Sequence, residues 1–262
     1  MRSTRDRFSP GGAGRPRRSA PLILALFALL VFSPVGAPAA AQGIFDGLIL
    51  EVERIAGESV ARNVEEEYGA PVRLAPDEQA RVEAVFANLV ARASRKEIAY
   101  SLTILSSDEV NAFAAPAGYV FLTTGILEVI GDDVDALANV LGHEIAHVEH
   151  KHGINALTRQ LGLGILLQLA FGRSSQTVQT VAAAAVELTR LGWSREQEHE
   201  SDDLGQRLAA AAGYDPAGMV RFFEVLQGLS GEEIPFLEFL STHPLTSERI
   251  DRARARAAAL SR

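Results

Sequence analysis

The sequence predicts an α+β domain, mainly helical with a small β-sheet, and three observations carry that expectation. Apolar residues recur at three- and four-residue spacing along most of the chain after residue 44, the period of a helix face. Two short stretches, residues 100–105 and Tyr119–Thr123, read instead as β-strands, the second bounded by Pro116-Ala117-Gly118 and Gly125. From Ile126 almost to the end the pattern is helical, with no internal repeat.

Taken in order, the first 41 residues stand apart. Arg15, Arg17 and Arg18 precede an uncharged stretch at residues 22–32, and Ala39, Ala40 and Ala41 place small residues before Gln42. This reads as a secretory leader over residues 1–41, then a helical segment over 42–75 and the main domain over 76–262. Arg17-Arg18 also admits export of a folded chain. An uncleaved leader acting as an anchor is the alternative, although residues 22–32 fall short of the roughly 20 needed to span a bilayer.

Removal of the leader leaves 19 basic against 32 acidic residues, which argues against a nucleic-acid partner. The absence of cysteine excludes disulfides, thiolate metal ligands and a cysteine nucleophile, and it suits the bacterial envelope as the location.

Within residues 44–68, Ile49, Val52, Ile55 and Val60 form a rough apolar stripe. Pro76-Asp77-Glu78 opens a second helix that carries Val82, Val85, Phe86, Leu89 and Val90 inward and ends near Ser94. A longer helix is expected over residues 134–152, capped by Asp132 or Asp133 and ended by Gly153, with Leu137, Val140, Leu141, Ile145 and Val148 on its apolar face. Residues 161–170 are almost wholly apolar and leave two readings open. They form packed helices joined by a loop, or a lid or peripheral membrane contact over the site.

The chemistry begins at His143-Glu144-Ile145-Ala146-His147. Two imidazoles four apart on a helix share a face and can close on one zinc ion, with the intervening glutamate left to act on the attacking water. A third ligand is required. It is sought in residues 194–202, where Glu198 and Asp202 are four apart and share a helix face. Glu198 would complete the metal set, and Asp202 would accept the spare ring N–H of a ligand histidine. Such an acidic run is otherwise a solvated helix face, the reading kept for Glu196 and Glu200. His150, His152 and His199 are expected to be structural or solvent-facing, Trp193 a packing residue, and Asn111 a turn or backbone-fixing residue.

Leu141-Gly142-His143-Glu144-Ile145-Ala146-His147-Val148, Ser194-Arg195 with Glu198 and Ser201-Asp202, and Ser241-Thr242-His243-Pro244 together resemble the zinc metallopeptidase family that includes the CAAX prenyl endopeptidases, HtpX, the Oma-type proteases and BepA. The resemblance runs from Pro76 to the C-terminus and takes in Asn111-Ala112-Phe113 and the Pro116-Ala117-Gly118-Tyr119 turn. Ser201 stands where the family usually has alanine, Ala115 where leucine is common, and Ala117 where glycine is common. A zincin-like fold is implied, with one Zn2+ per chain on His143, His147 and Glu198. Glu144 would be the general base.

The resemblance also implies that the loop carrying His243 brings its imidazole to the zinc, either as a resting latch or as an oxyanion donor. Without it, His243 reads as a loop histidine beside a helix start. Residues Ala117, Gly118, Tyr119, Val120, Phe121 and Leu122 are expected to form the substrate template, on which an extended chain adds as one more strand. Because the chain shows no multiple spans and ends at Arg262, a repeat-free soluble envelope peptidase is expected. Its substrates would be unfolded or misassembled proteins. The alternative is a zinc-containing, chaperone-like protein that holds clients and rarely cuts them, which leaves Glu144 without a purpose.

Overall fold

The computed structural model describes residues 39–172, 174–229 and 238–261. Most of the expected leader, residues 1–38, lies outside them. The chain divides into Met1–Gly47 and Leu48–Arg262, and the account that follows concerns the second unit. No helix among the described residues is long and apolar enough to cross a membrane.

Helix α1 (Ala39–Tyr68) is followed by α2 (Pro76–Val90), whose first turn holds Pro76, Asp77 and Glu78, suited to the positive end of a helix. Three strands come next: β1 (Ser101–Leu105), β2 (Ala112–Ala115) and β3 (Tyr119–Thr123). Nine α-helices follow among the described residues: α3 (Thr124–Ile130), α4 (Val134–Glu149), α5 (His152–Leu161), α6 (Leu163–Gly172), α7 (Ser175–Leu188), α8 (Arg195–Ala211), α9 (Gly218–Leu229), α10 (Glu238–Thr242) and α11 (Ser247–Leu260).

The sheet order is β1-β3-β2, with β1 parallel and β2 antiparallel to β3. Side chains on successive strand residues point to opposite faces, so both faces are buried by different sets. Ile104, Val120 and Leu122 join Val82, Leu89, Leu137, Leu141, Ile145 and Phe223 in one apolar cluster. Leu105, Phe113 and Phe121 join Val52, Ile55, Leu157, Leu169 and Val181 in the other, which places α1, α5, α6 and α7 together. The apolar run at residues 161–170 therefore contributes to packing, with Leu169 fully buried there.

This topology corrects the expected substrate template. Strand β3 is the centre of the sheet, and both of its edges are already hydrogen-bonded, to β1 and to β2. Val120, Phe121 and Leu122 are buried. An added strand needs a free edge. The outer edge of β1 is occupied as well, through Val72 N–H to Ile104 O (2.9 Å) and Ser106 N–H to Ala70 O (2.9 Å). Strand β2 is the remaining edge. Thr123 N–H bonds Asn111 O, so in this antiparallel register Phe113 and Ala115 also face β3, whereas Ala112 and Ala114 turn their N–H and C=O outward.

The long helix is also shorter than its apolar pattern. Asp133 caps its start, accepting from Asp135 N–H (3.1 Å) and Ala136 N–H (2.9 Å), but it stops at Glu149 instead of running to His152. Lys151 adopts the left-handed conformation (φ 57°), and His152 and Gly153 open α5. The turn expected at glycine is made two residues earlier by lysine. Ala117 is likewise left-handed (φ 63°), at the position where a glycine would carry no Cβ penalty.

Helices α4 and α8 cross with their backbones in contact. A Cβ built on Gly142 would lie 2.7 Å from Gly205 O, and one built on Gly205 would lie 2.7 Å from His143 N. Only glycine at both positions permits this approach, and it brings the two ligand-bearing helices together.

Candidate metal centre

Helix α4 presents His143 and His147 one turn apart. Helix α8 starts with a capping box, Ser194 Oγ accepting from Gln197 N–H and Gln197 Oε1 from Ser194 N–H, and presents Glu198 and Asp202 on its buried face. His243 follows α10, its N–H bonded to Phe239 O (2.7 Å) and its ring stacked on Phe239 at 4.6 Å. Its neighbour Thr242 accepts from Trp193 N–H (3.0 Å).

Donor atoms of His143, His147, Glu198 and His243 all lie within 4.8 Å of one another, and all four residues are buried. His143 Nε2 is 3.0 Å from His147 Nε2 and 3.2 Å from His243 Nδ1, while Glu198 Oε1 is 3.0 Å from His243 Nδ1 and 3.4 Å from His147 Nε2. A tetrahedron of zinc bonds of about 2.0–2.1 Å has edges of about 3.3 Å, and these four separations lie near that value, so one ion could reach all four donors after small shifts. The donors are three imidazoles and a carboxylate, a set suited to zinc. The residues fit the metal.

The charge states agree with that use in part. Burial alone would raise Glu198, but His243 and His143 overcome it and hold the carboxyl well below the usual range. Burial depresses His147, keeping the imidazole neutral and able to donate a lone pair. His143 is raised, because Glu198, Asp202 and Glu144 outweigh its desolvation, so a metal would compete with a proton at this imidazole. Burial raises Glu144, whose two oxygens have no hydrogen-bond partner and whose Oε1 is 3.7 Å from His243 Nε2. It is a carboxyl held free beside the cluster.

Asp202 Oδ1 lies 3.0 Å from His143 Nδ1, the ring nitrogen turned away from the cluster. Arg249, absent from the expected site, grips the same carboxylate with Nε to Oδ2 and Nη2 to Oδ1, both 2.8 Å, and reaches Glu198 Oε2 with Nη1 at 2.6 Å. Its guanidinium sits 4.9 Å from the Phe223 ring centroid. The signal that could have found it is periodic: Arg249, Ala253 and Ala257 occupy one inward stripe of α11, where a buried arginine demands anionic partners. Trp193 packs as expected, and does so beside the site, its ring 4.8 Å from that of His147. Ala117 lines a narrow cleft with Ala114, Ala115, Pro116, His147 and Trp193, whereas Val120, Phe121 and Leu122 are in the sheet interior. His199 lies apart, 3.9 Å from Glu248, and His150 is exposed.

The geometry yields a pH prediction. Burial would raise Asp202, but Arg249 and then His143 hold its pKa at about 2, below the ordinary 3.8. A depressed carboxyl contributes stability above its unfolded pKa and loses it as pH falls through the folded value. In metal-free protein, the stability gap between wild type and Asp202→Asn should be largest above pH 4, on the order of 2 kcal/mol, and should close toward pH 2. Urea melts at a series of pH values would read it. A constant gap would remove the ion pair as its cause.

The match to the model of peptidase family M48 spans residues 76–257. The chain belongs to peptidase family M48. It is 35% identical over 153 residues to the mitochondrial metalloendopeptidase OMA1 of Arabidopsis thaliana, covering 58% of this chain and 30% of that protein. It is 27% identical over 254 residues to the beta-barrel assembly-enhancing protease of Yersinia pestis, covering 88% and 52%, and 30% identical over 179 residues to that of Escherichia coli K12, covering 64% and 37%. The chain thus spans between about a third and a half of the length of these relatives.

Proposed function

We propose that this chain is a zinc-dependent endopeptidase of the bacterial envelope, exported by residues 1–41, with a helical segment over 42–75 and its catalytic domain over 76–262. Its substrates are unfolded or misassembled envelope proteins, in keeping with the name of its beta-barrel assembly-enhancing protease relatives. One observation carries the reading: a four-donor cluster with the unpartnered Glu144 carboxyl beside it. Zinc, when bound, acidifies water toward a pKa of about 7 and polarises the scissile carbonyl. His143, His147 and Glu198 would hold it, Asp202 would orient His143, and Glu144 would take the proton of the attacking water and deliver it to the leaving amine. Purified protein incubated with unfolded casein, with and without a chelator, tests the proposal. Cleavage that survives the chelator, or no cleavage by zinc-loaded protein, would overturn it.

His243 Nδ1 lies 3.2 Å from His143 Nε2 and 3.0 Å from Glu198 Oε1, close enough to serve as a fourth donor in place of the attacking water, which supports the latch over the oxyanion donor. His243→Ala is expected to raise peptide hydrolysis at unchanged zinc content. A lower kcat at unchanged zinc would favour the donor. Unchanged activity with an unaltered spectrum after cobalt substitution would remove both roles.

The substrate template moves from β3 to the edge of β2, where Ala112 and Ala114 face outward. Ala114→Pro removes one outward N–H while sparing the bonds to β3, and should lower kcat/KM with zinc content unchanged. Wild-type kinetics in this variant would exclude an added strand at that edge.

A further inference from the structure

Every imidazole that ligates through one nitrogen must dispose of the proton on the other, and the two helix ligands solve this differently. His143 turns Nδ1 to Asp202. At Nδ1 of His147 the described residues place another imidazole instead of a carboxylate. That Nδ1 lies 2.9 Å from Nδ1 of His152, a residue that is 4% exposed, and His152 Nε2 lies 3.1 Å from Glu200 Oε2. Because Lys151 breaks the helix in a left-handed turn, His152 doubles back beneath His147 instead of continuing past it.

We infer that His152 is the positioning residue for His147, and that Glu200 fixes its tautomer. The assignment follows from proton counting and rests on the proposed zinc site. With Nε2 of His147 among the cluster donors, its Nδ1 carries the proton and donates to His152 Nδ1. That nitrogen must then be unprotonated, so His152 bears its proton on Nε2 and donates it to the Glu200 carboxylate. Ser201 Oγ, 3.5 Å from His152 Nδ1, is at the limit of a competing bond. The metal ligand is thus tied through a second imidazole to a carboxylate that is largely exposed, with 57% of its side-chain surface free. Glu200 serves as the far end of a ligand relay, although its face of α8 otherwise reads as solvated.

The test compares zinc affinity, by competition with a chromogenic chelator, in wild type, His152→Leu, His152→Asn and Glu200→Gln. His152→Leu removes the acceptor and should weaken zinc binding about 10–100-fold. His152→Asn places an amide oxygen near the lost Nδ1 and should recover most of it. Glu200→Gln keeps an acceptor and should change affinity little. Long-range nitrogen-15 spectra of the zinc-loaded wild type should show His152 protonated on Nε2, a readout that needs no variant to fold. Wild-type affinity in a folded His152→Leu protein, no recovery in His152→Asn, or a proton on Nδ1 of His152 would each overturn the inference. Wild-type protein that takes up no stoichiometric zinc would overturn the proposed function itself, and this inference with it.

Discussion

Glu144→Gln is expected to keep about one zinc per chain and to lower peptide hydrolysis by about 10²–10⁴-fold, the contribution of a positioned general base. The amide retains the volume and the buried position of the carboxyl but cannot take a proton. Since Glu144 has no hydrogen-bond partner among the described residues, the exchange breaks no existing bond. Glu198→Ala is the counterpart, and it should lose metal and activity together, because it removes the one carboxylate donor of the cluster. Metal analysis beside peptide turnover separates the two. Full zinc retention by Glu198→Ala would remove it as a ligand, and undiminished turnover by Glu144→Gln would remove it as the base.

The second large effect is expected at Arg249. Replacing it by leucine leaves Asp202 and Glu198 as buried carboxylates without their guanidinium, and breaking a buried pair from one side costs about 3–5 kcal/mol. Arg249 is itself buried and held charged, its desolvation outweighed by Asp202 and Glu198, so the pair cannot relax by releasing a proton to solvent at neutral pH. Denaturant unfolding of metal-free Arg249→Leu should show that loss. Adding Asp202→Asn should return part of it, as coupled partners do. A loss below about 1 kcal/mol would mean that water replaces the guanidinium freely.

Much of the candidate site is written locally. The His143–His147 spacing needs only a helix to put both rings on one face, and Glu198 with Asp202 needs only another. What decides whether those faces meet is tertiary, and the sequence carries it faintly, as Gly142 and Gly205. Strand β2 is not legible because Ala112-Phe113-Ala114-Ala115 is short and alanine-rich, a weak strand signal. The central place of β3 could not be read from its own residues, since a buried edge strand and a buried central strand share the same apolar run. The break before His152 was hidden because lysine rarely takes the left-handed turn while a glycine stood two positions on. Arg249 carries no local signal on a helix rich in arginine, and only its phase on α11, shared with Ala253 and Ala257, turns it inward.

The contact of Gly142 with Gly205 sets the spatial interval between His143 and the α8 carboxylates at a crossing of two helices, and not along the chain that joins them. Helices α6 and α7, which fill much of that chain, pack into the apolar cluster on the other face of the sheet. Lengthening or shortening them need not disturb a ligand atom. The number of residues between His147 and Glu198 can therefore change without moving the crossing, and a search pattern built on a fixed interval would discard a chain whose ligand geometry is intact. Two short words tolerate any gap: a glycine directly before the first histidine, and a glycine seven positions after the ligand glutamate.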